Sequence, residues 1–449
     1  MKKTMWVTIS DGEVSKSILQ SNIFPLLKDH VRIVFLAHKE KVAYYATRFG
    51  SESVQVETMP KPDSSLLEEM WSDLFLYSLH TKSIRVKIEH SYRIGGTLLG
   101  KWIKLVLWQL GRFSWYRWFF KFLYRLMSDH SFDALFEGEK PDLVFAANLT
   151  SGEDARLLKA ARARGIPTIG MPKGWDNLTL KTLLPVFPDQ LLVQTSLMKD
   201  DAKKLGYPEK DIRVVGFPKF DIYADTSVLS TREEFLTTLG LDPSRKLILY
   251  AGAGDQLAPH DEEILSDFLL AIERGDVPDS PNVIVRPHPK YRYRTEIVPP
   301  RPFWIVDRPG KVLGMKSGEF EFDRSDIIHL MNSLAHADLL IHTASTLGVE
   351  ACIFDKPTIA LAYDGSTQTS PALSTARYYE YDHVRRVITT GGMKVASSFE
   401  DLLRYTNEYL KHPEEDRAGR KKIVAENAYA IDGGAGERVA NEVLSMLDK

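Results

Sequence analysis

The chain of 449 residues has a single cysteine, Cys352, and no apolar run long enough to cross a membrane. One thiol excludes a disulfide framework and a cysteine-based zinc site, and it is typical of the reducing cytosol. A membrane-spanning helix needs about 18 or more consecutive apolar residues. The apolar run from Met5 to Ile9 lacks the length and cleavage site of a signal peptide, so we predict a strand there and a cytoplasmic protein.

The chain also has almost no excess of one sign of charge, because 58 basic and 60 acidic residues give a net charge of −2. Such a chain has no overall field to attract nucleic acid, and we expect no nucleic-acid partner. Apolar residues make up 44% of the chain and charged residues 26%, which is typical of soluble globular proteins and excludes a disordered chain. The length favours two or three domains.

Metal-binding motifs are absent from the sequence, which has no Asp-x-Asp pair and neither His-x-x-x-His nor His-Glu-x-x-His. We therefore predict a site without a metal or other cofactor, in which protein groups hold any phosphate. The Gly-x-Ser-x-Gly motif of serine hydrolases is absent as well, which argues against that chemistry.

Short β-branched runs alternate with longer helical patterns, which predicts βαβ units in an α/β fold with parallel sheets. We predict two Rossmann-like domains facing a cleft, over residues 1–225 and 246–430. A linker at 226–245 would join them, and a final helix at 431–449 could pack back on the first domain. The strand-like runs of the second half are KLILYAGAG, NVIVRPHP, FWIVD, DLLIHTAS, KPTIALAYDG and VRRVITT.

Ligands of such folds bind beyond the carboxyl ends of the strands, so the loops there are the candidate site. Arg286, His288 and Lys290 follow the predicted strand NVIV, and two prolines stiffen the backbone around the histidine. This loop would bring together three side chains that can donate hydrogen bonds to a phosphate. A surface turn with solvated charges is the alternative.

A second loop, from His342 to Glu350, follows the predicted strand DLLI. Ser345 and Thr346 would begin a helix whose N-terminus and hydroxyls suit a phosphate, and Glu350 could reach a ribose. An ordinary Ser/Thr cap is the alternative. Gly252, in the turn AGAGDQ, could approach a diphosphate, although this turn does not match a nucleotide-binding fingerprint.

In the first half, Asp176 lies in the loop PKGWDNLTLK after the predicted strand PTIGM. A carboxylate there could take a proton from an acceptor hydroxyl. Lys173 and Trp175 of this loop, and Asp11 after the first strand, are further candidates on the acceptor side. The structural alternatives are a helix cap for Asp176, a core position for Trp175 and a tight turn at Asp11.

Residues 101–128 combine aromatic and basic side chains and contain no acidic residue. Tryptophan favours the membrane interface and basic residues favour anionic lipid, so the stretch predicts a peripheral surface for the inner face of the cell membrane. Buried helices with basic side chains that reach solvent are the alternative. The residues concerned are Trp102, Trp108, Trp115, Trp118, Lys101, Lys104, Arg112, Arg117, Lys121 and Arg125.

Five segments together resemble a glycosyltransferase of the GT-B architecture, from about Pro141 to the C-terminus. The resemblance is to the branch of the CDP-glycerol glycerophosphotransferases and related capsule and lipopolysaccharide transferases. It implies two Rossmann-like domains, with the nucleotide donor bound by the second. The segments are WDNLTLK, GFPKFD, RPHP, HTASTLGVEACIFDKPTI and DGGAGERVA.

The glycerophosphotransferase motif Trp-His-Gly-Thr-Pro-Leu-Lys has its catalytic histidine where this chain has Asp176. A carboxylate base is common in inverting sugar transferases, so the resemblance implies inverting sugar transfer. The family's His-Pro histidine falls on His288, which would contact donor phosphate, and its hydroxyl pair falls on Ser345 and Thr346. UDP-N-acetylglucosamine 2-epimerases share the architecture, but we rank them lower because their Gly-Thr-Arg-Pro-Glu loop corresponds here to ISDGEVSKS.

We therefore predict a metal-independent, inverting glycosyltransferase with Asp176 and His288 as its catalytic residues. It would move a sugar from a nucleotide donor to a glycan or lipid-linked acceptor in cell-surface polysaccharide synthesis. The alternatives are a CDP-glycerol-type polyol-phosphate transferase and a non-catalytic nucleotide- or glycan-binding scaffold.

Overall fold

The computed structural model describes residues 2–60, 66–308, 310–312 and 320–448. In this part of the chain strands alternate with helices, as the sequence pattern predicts. The strands are β1 (Thr4–Ile9), β2 (Arg32–Ala37), β3 (Val54–Thr58), β4 (Leu143–Ala146), β5 (Thr168–Gly170), β6 (Gln190–Val193), β7 (Ile212–Val214), β8 (Leu247–Ala251), β9 (Asn282–Val285), β10 (Trp304–Val306), β11 (Lys311–Val312), β12 (Phe320–Glu321), β13 (Leu339–His342), β14 (Thr358–Leu361) and β15 (Lys394–Ala396).

Helices follow most of the strands. They are α1 (Gly12–Ile18), α2 (Ile23–Leu27), α3 (Lys39–Phe49), α4 (Leu66–Tyr77), α5 (Lys82–Arg93), α6 (Leu98–Leu110), α7 (Ser114–Leu126), α8 (Asp133–Gly138), α9 (Gly152–Ala163), α10 (Asn177–Leu180), α11 (Ser196–Lys204), α12 (Arg232–Thr238), α13 (Asp261–Arg274), α14 (Arg324–His336), α15 (Leu347–Ile353), α16 (Asp382–Ile388), α17 (Phe399–Lys411), α18 (Arg417–Ile423) and α19 (Ala435–Leu447). Shorter 3-10 turns cover Glu209–Asp211, Pro218–Ala224, Thr226–Val228, Thr295–Ile297 and Thr375–Glu380.

The chain divides into two compact units, which we call the first unit (Met1–Ala224 with Tyr429–Lys449) and the second unit (Asp225–Ala428). Each contains a parallel sheet, with the order β3-β2-β1-β4-β5-β6-β7 in the first and β10-β9-β8-β13-β14-β15 in the second. When strands are numbered within each parallel sheet, the second sheet has the Rossmann order 3-2-1-4-5-6 and the first sheet begins with it. The predicted α/β fold with two Rossmann-like domains is confirmed.

Central and edge strands differ in burial. All residues of β1 and of β8 are buried, because helices cover both faces of a parallel sheet. Edge strand β3 has one fully buried residue, Val54, and its sequence VQVET lacks a continuous apolar run. The sequence pattern therefore does not predict a strand there.

Two sequence predictions about the second unit are wrong. The run VRRVITT is not a strand but largely lies in helix α16, where Val384 and Val387 are buried at helical spacing and Arg385 is exposed. Residues 226–245 are not a separate linker, because helix α12 of this segment packs Phe235 and Leu236 into a core cluster of the second unit.

The terminal helix α19 belongs to the first unit. Its residues Val439 and Val443 join the same core cluster as Ile23 of α2. The backbone N–H groups of Ala435 and Gly436 donate to the Asp221 carboxylate at 2.9 and 2.6 Å. The segments GFPKFD and DGGAGERVA therefore meet in a helix cap, which gives both a structural role.

Candidate functional site

The strand order creates a switch point in each sheet, between β1 and β4 in the first unit and between β8 and β13 in the second. Loops that leave neighbouring strands at such a point run to opposite faces of the sheet and leave a crevice for ligands. His342 pairs in register with Ala251, so the loops that begin at Gly252 and Thr343 start side by side.

His288 lies in the loop after β9 with its backbone and ring both held. Its N–H donates to the carbonyl of Gly252 at 2.8 Å, and its Nδ1 accepts the N–H of Lys290 at 3.1 Å. The ring stacks on Tyr291 with centroids 4.7 Å apart and is partly exposed. Because Nδ1 accepts a hydrogen bond, the neutral ring carries its proton on Nε2, which makes that atom a donor for an anionic ligand.

Arg286 is placed differently from the prediction of a phosphate contact. Its guanidinium donates to Asp307, and only 5% of the arginine side chain is exposed. Desolvation favours the neutral form of Asp307, but His329 and Arg286 beside it outweigh that cost and lower its pKa. Breaking a buried pair costs about 3–5 kcal/mol, so the structure favours an anchoring role for Arg286 at the end of β9.

The turn at Gly252 is packed against aromatic side chains. A Cβ atom at Gly252 would lie 2.4 Å from Cε2 of Tyr293, so the glycine makes room for that ring. The Asp261 carboxylate holds the same turn by accepting the N–H of Ala253 and the hydroxyl of Tyr250, both at 2.8 Å. Burial raises the pKa of Asp261 to about 6. Contact of Gly252 with a diphosphate stays a prediction.

His342, predicted to bind the donor, is instead a buried residue at the end of β13. Desolvation lowers its pKa to about 4, so the ring is neutral near pH 7. Its Nδ1 accepts the N–H of Ser345 at 3.0 Å, and its Nε2 has no hydrogen-bond partner among the described residues. A Cβ atom at Gly348 would lie 2.5 Å from Nε2, so the glycine admits the ring. His342 therefore positions the loop and does not face its surface.

Ser345 and Thr346 precede helix α15, as predicted, but only one of them caps it. Ser345 Oγ accepts the N–H of Leu347 at 3.2 Å, whereas the Thr346 side chain makes no capping hydrogen bond. The preceding Ala344 adopts a φ of 44°, a conformation that costs a non-glycine residue energy. Glu350 is buried in the first turn of α15. The predicted contact with a ribose would therefore require the ligand to reach a buried carboxylate.

In the first unit, the loop after β1 forms two ion pairs. Asp11 caps α1 by accepting the N–H groups of Glu13 and Val14 at 3.1 Å, and it also accepts from Lys173. Glu13 lies 3.1 Å from Nζ of Lys219. Desolvation would raise the pKa of Glu13, but the charges of Lys219 and other lysines lower it to about 2. The predicted candidates Asp11 and Lys173 are thus brought together.

Asp176 lies in the same loop as Lys173, at the N-terminus of α10. Its Oδ1 accepts from Nδ2 of Asn177 at 3.1 Å, its Oδ2 lies 3.6 Å from Nζ of Lys181, and no capping bond is made. The carboxylate is partly exposed. The neighbouring Trp175 is also partly exposed and is therefore not a fully buried core residue. A carboxylate without backbone donors keeps lone pairs for a substrate proton.

Asp154 fixes the loops on the other side of this switch point. It is fully buried and accepts from Thr8 Oγ1 at 2.9 Å and from the N–H of Asn148 at 2.8 Å. Desolvation raises its pKa to about 6, although these hydrogen bonds oppose the shift. Because Thr8 belongs to β1 and Asn148 follows β4, one carboxylate joins both strand ends.

Glu13 and Lys219 were not predicted from the sequence, although they form one of the two ion pairs around the loop after β1. Both were visible in principle, since Glu13 follows Asp11 closely and Lys219 stands in the segment GFPKFD just beyond β7. Treating every charged residue of a strand-end loop as a candidate would have included them. The buried Asp154 and Asp261 carried no such signal, because an aspartate in the first turn of a helix is common.

The described residues contain no group of three or more His, Cys, Asp or Glu side chains placed to hold a metal ion. No helix among them is sufficiently long and apolar to span a bilayer. The predicted independence from metals stays a prediction.

No family model matches the chain, and no curated protein matches it in sequence. Solved structures match it over nearly its whole length. The UDP-GlcNAc 2-epimerase from Neisseria meningitidis, bound to UDP-GlcNAc, is 13% identical with a TM-score of 0.55, covering 98% of this chain and 100% of that chain. The UDP-GlcNAc 2-epimerase from Methanocaldococcus jannaschii is 13% identical with a TM-score of 0.53, covering 98% and 99%. A glycosyltransferase from Rickettsia africae is 10% identical with a TM-score of 0.52, covering 99% of both chains.

At these identities the likeness establishes the fold, a GT-B type found in both nucleotide-sugar epimerases and glycosyltransferases. The matches give no support to the CDP-glycerol branch that the sequence resembles. They include several UDP-GlcNAc 2-epimerases, a class that we ranked lower from the sequence.

Proposed function

We propose that the chain is an enzyme acting on a nucleotide sugar, and in particular a metal-independent inverting glycosyltransferase. The observation that carries the proposal is His288, a partly exposed imidazole held in one orientation at a strand end. Solved structures of the same fold include proteins bound to UDP-GlcNAc and UDP. A fixed donor at a strand end suits the phosphate of such a ligand.

The second unit would bind the nucleotide donor. Nε2 of His288 and the exposed Lys290 would donate to the diphosphate, and the Thr346 hydroxyl would add a donor from the neighbouring switch-point loop. These groups would stabilise the charge that develops on the leaving phosphate, the task that a metal performs in other enzymes. Arg286 and His342 would act indirectly by holding the loops.

The first unit would bind the acceptor, with Asp176 as general base. As the acceptor oxygen bonds to the anomeric carbon, its proton would pass to the Asp176 carboxylate and the bond from that carbon to the donor phosphate would break. One displacement of this kind inverts the anomeric configuration. Nζ of Lys181, 3.6 Å from Oδ2, would hold the carboxylate in its orientation. The acceptor would be a glycan or lipid-linked sugar of a cell-surface polysaccharide.

An epimerase acting on a nucleotide sugar is the second candidate, because epimerases recur among the matching structures. Its reaction needs no acceptor. The carboxylates Asp11 and Glu13, each paired with a lysine at the switch point of the first unit, would provide its charged groups.

One experiment separates these functions. The chain is incubated with UDP-GlcNAc, first alone and then with a glycan acceptor, each without and with EDTA, and the sugar nucleotides are followed by proton NMR. A new sugar nucleotide formed without acceptor would identify an epimerase. Release of nucleotide that requires an added glycan acceptor and is unaffected by EDTA would support the transferase. A thermal-shift series with CMP, CDP, UDP, GDP and ADP identifies the base, and a response to none of them would contradict both functions.

A further inference from the structure

Exposed apolar side chains are concentrated in one part of the first unit. Among the described residues, twelve of the fifteen exposed large hydrophobic side chains lie between Ile94 and Leu126. Large exposed apolar patches on soluble proteins usually mark an interaction site. The twelve are Ile94, Leu98, Leu99, Trp102, Ile103, Val106, Phe113, Trp115, Trp118, Phe119, Phe122 and Leu126.

Helix α6 has no buried residue, and its exposed apolar residues recur every three to four positions. Leu99, Trp102, Ile103 and Val106 form one face, and the Trp102 side chain is 61% exposed. Trp108 of the same helix is held in the fold, because its Nε1 donates to the carbonyl of Thr81 at 2.8 Å. The solvent-facing side of α6 is therefore its more apolar side.

Helix α7 has aromatic residues on opposite faces. Tyr116 faces the interior and hydrogen-bonds Ser78 at 2.9 Å. Trp115, Trp118 and Phe122 face out, and the two tryptophans are 63% and 65% exposed. Trp118 and Phe122 stack with centroids 5.4 Å apart and form an aromatic ridge on this face.

The basic residues of this stretch contribute less charge than the sequence suggests. Lys121 is buried over the ring of Phe187, and burial together with Arg117 lowers its pKa well below the usual value. Lys101 is paired with Glu89 at 2.5 Å. Arg112 and Arg125 are exposed and have no acidic partner among the described residues. They flank the aromatic ridge of α7, and no acidic residue occurs between Glu89 and Asp129.

We propose that α6 and α7 form a surface that binds anionic membranes, with Trp102, Trp115 and Trp118 entering the lipid interface. The charge argues for lipid as the partner, because two unpaired arginines beside an aromatic face complement acidic headgroups. Tryptophan rings, apolar with one polar N–H, are suited to the headgroup region. The aromatic side chains would insert into the lipid interface. The electrostatic contribution would be smaller than if all six basic residues of 101–128 were free. The proposal does not depend on the catalytic assignment.

The test is co-sedimentation of the full chain with vesicles of phosphatidylcholine, without and with phosphatidylglycerol. We expect binding to the anionic vesicles, and a loss of at least about ten-fold in the triple variant Trp102→Ala, Trp115→Ala, Trp118→Ala. Neutralising Arg112 and Arg125 to glutamine should lower binding by about five-fold for each residue. Leu26→Ala removes an exposed apolar side chain on α2, outside the patch, and should leave binding unchanged.

Three results would overturn the proposal. The parent chain fails to bind anionic vesicles, or the triple variant binds them as well as the parent does. Alternatively, the parent is a stable oligomer in solution and the triple variant is a monomer, which would identify the face as an interface between protein chains. A thermal unfolding midpoint equal to that of the parent would show that the variant is folded. Unchanged nucleotide binding by the variant separates a membrane defect from a failure of the proposed catalytic function.

Discussion

The two units fix their strand-end loops in the same way but place different chemistry on them. Asp154 in the first unit and Asp261 in the second are buried in the first turn of a helix, and each accepts a backbone N–H from a strand-end loop. Burial raises the pKa of both to about 6. The comparison indicates that a buried aspartate is a common device of both scaffolds.

The loops themselves differ in their groups. In the first unit the groups around α1 are charged and paired, Asp11 with Lys173 and Glu13 with Lys219. In the second unit they include imidazoles and hydroxyls beside the exposed Lys290, and His342 is neutral because desolvation lowers its pKa. Fold and function are thus separable here, since the scaffold repeats while the loop chemistry does not.

The largest effect is expected from Asp176→Asn, which tests whether proton transfer belongs to the first unit. The change keeps the shape and removes the base, so turnover should fall by about 10²–10⁴ while nucleotide affinity is retained. Steady-state rates and calorimetry measure the two quantities. Lys181→Gln, which removes the ion-pair partner and keeps the carboxylate, is the control and should cost far less. Turnover close to that of the parent would remove Asp176 from the mechanism.

Asp154→Asn and Asp261→Asn test whether the buried aspartates are equivalent. A carboxyl group whose pKa rises on folding stabilises the native state fully below its unfolded value and loses that contribution as the pH rises to about 6. The stability of the parent relative to either variant should therefore fall by about 3 kcal/mol between pH 4 and pH 7. Urea unfolding at several pH values measures it. A pH-independent difference for one variant alone would break the equivalence.

Gly252→Ala should destabilise the second unit by about 1–3 kcal/mol, because its Cβ atom would overlap the ring of the buried Tyr293. Gly152→Ala in the first unit is the matched control, since a Cβ atom there meets nothing within 4 Å. The control should be neutral or slightly stabilising, because alanine favours a helix over glycine. Denaturant midpoints compare the two, and equal stabilities would show that the Gly252 turn adapts.

The smallest effect is expected from His288→Ala, which tests whether the second unit holds the donor. Loss of one hydrogen bond to a charged phosphate should weaken nucleotide binding by about ten-fold. Isothermal calorimetry with the nucleotide identified by thermal shift measures this. His130→Ala removes an exposed histidine of the first unit and should leave the affinity unchanged. Equal affinities in all three proteins would count against the donor-binding role.

Much of the fold could be predicted from the sequence, because buried parallel strands are continuous apolar runs. Edge strand β3 and helix α16 were not predicted correctly, since an edge strand alternates in polarity and a seven-residue amphipathic helix resembles a β-branched run. The loops that carry His288, Ser345 and Asp176 were identified from their position after strands. Their order along the chain does not reveal which side chains are buried.

The sequence by itself determined the α/β class, the repeated strand pattern and the loops that meet at the strand ends, because these follow from local periodicity. Only the tertiary structure decided the role of each polar group in those loops. Arg286 is committed to Asp307, His342 is buried, and Lys121 lies inside although its neighbours Trp118 and Phe122 lie outside. The physical reason is that burial and ion pairing depend on residues distant in the chain, which no local pattern specifies.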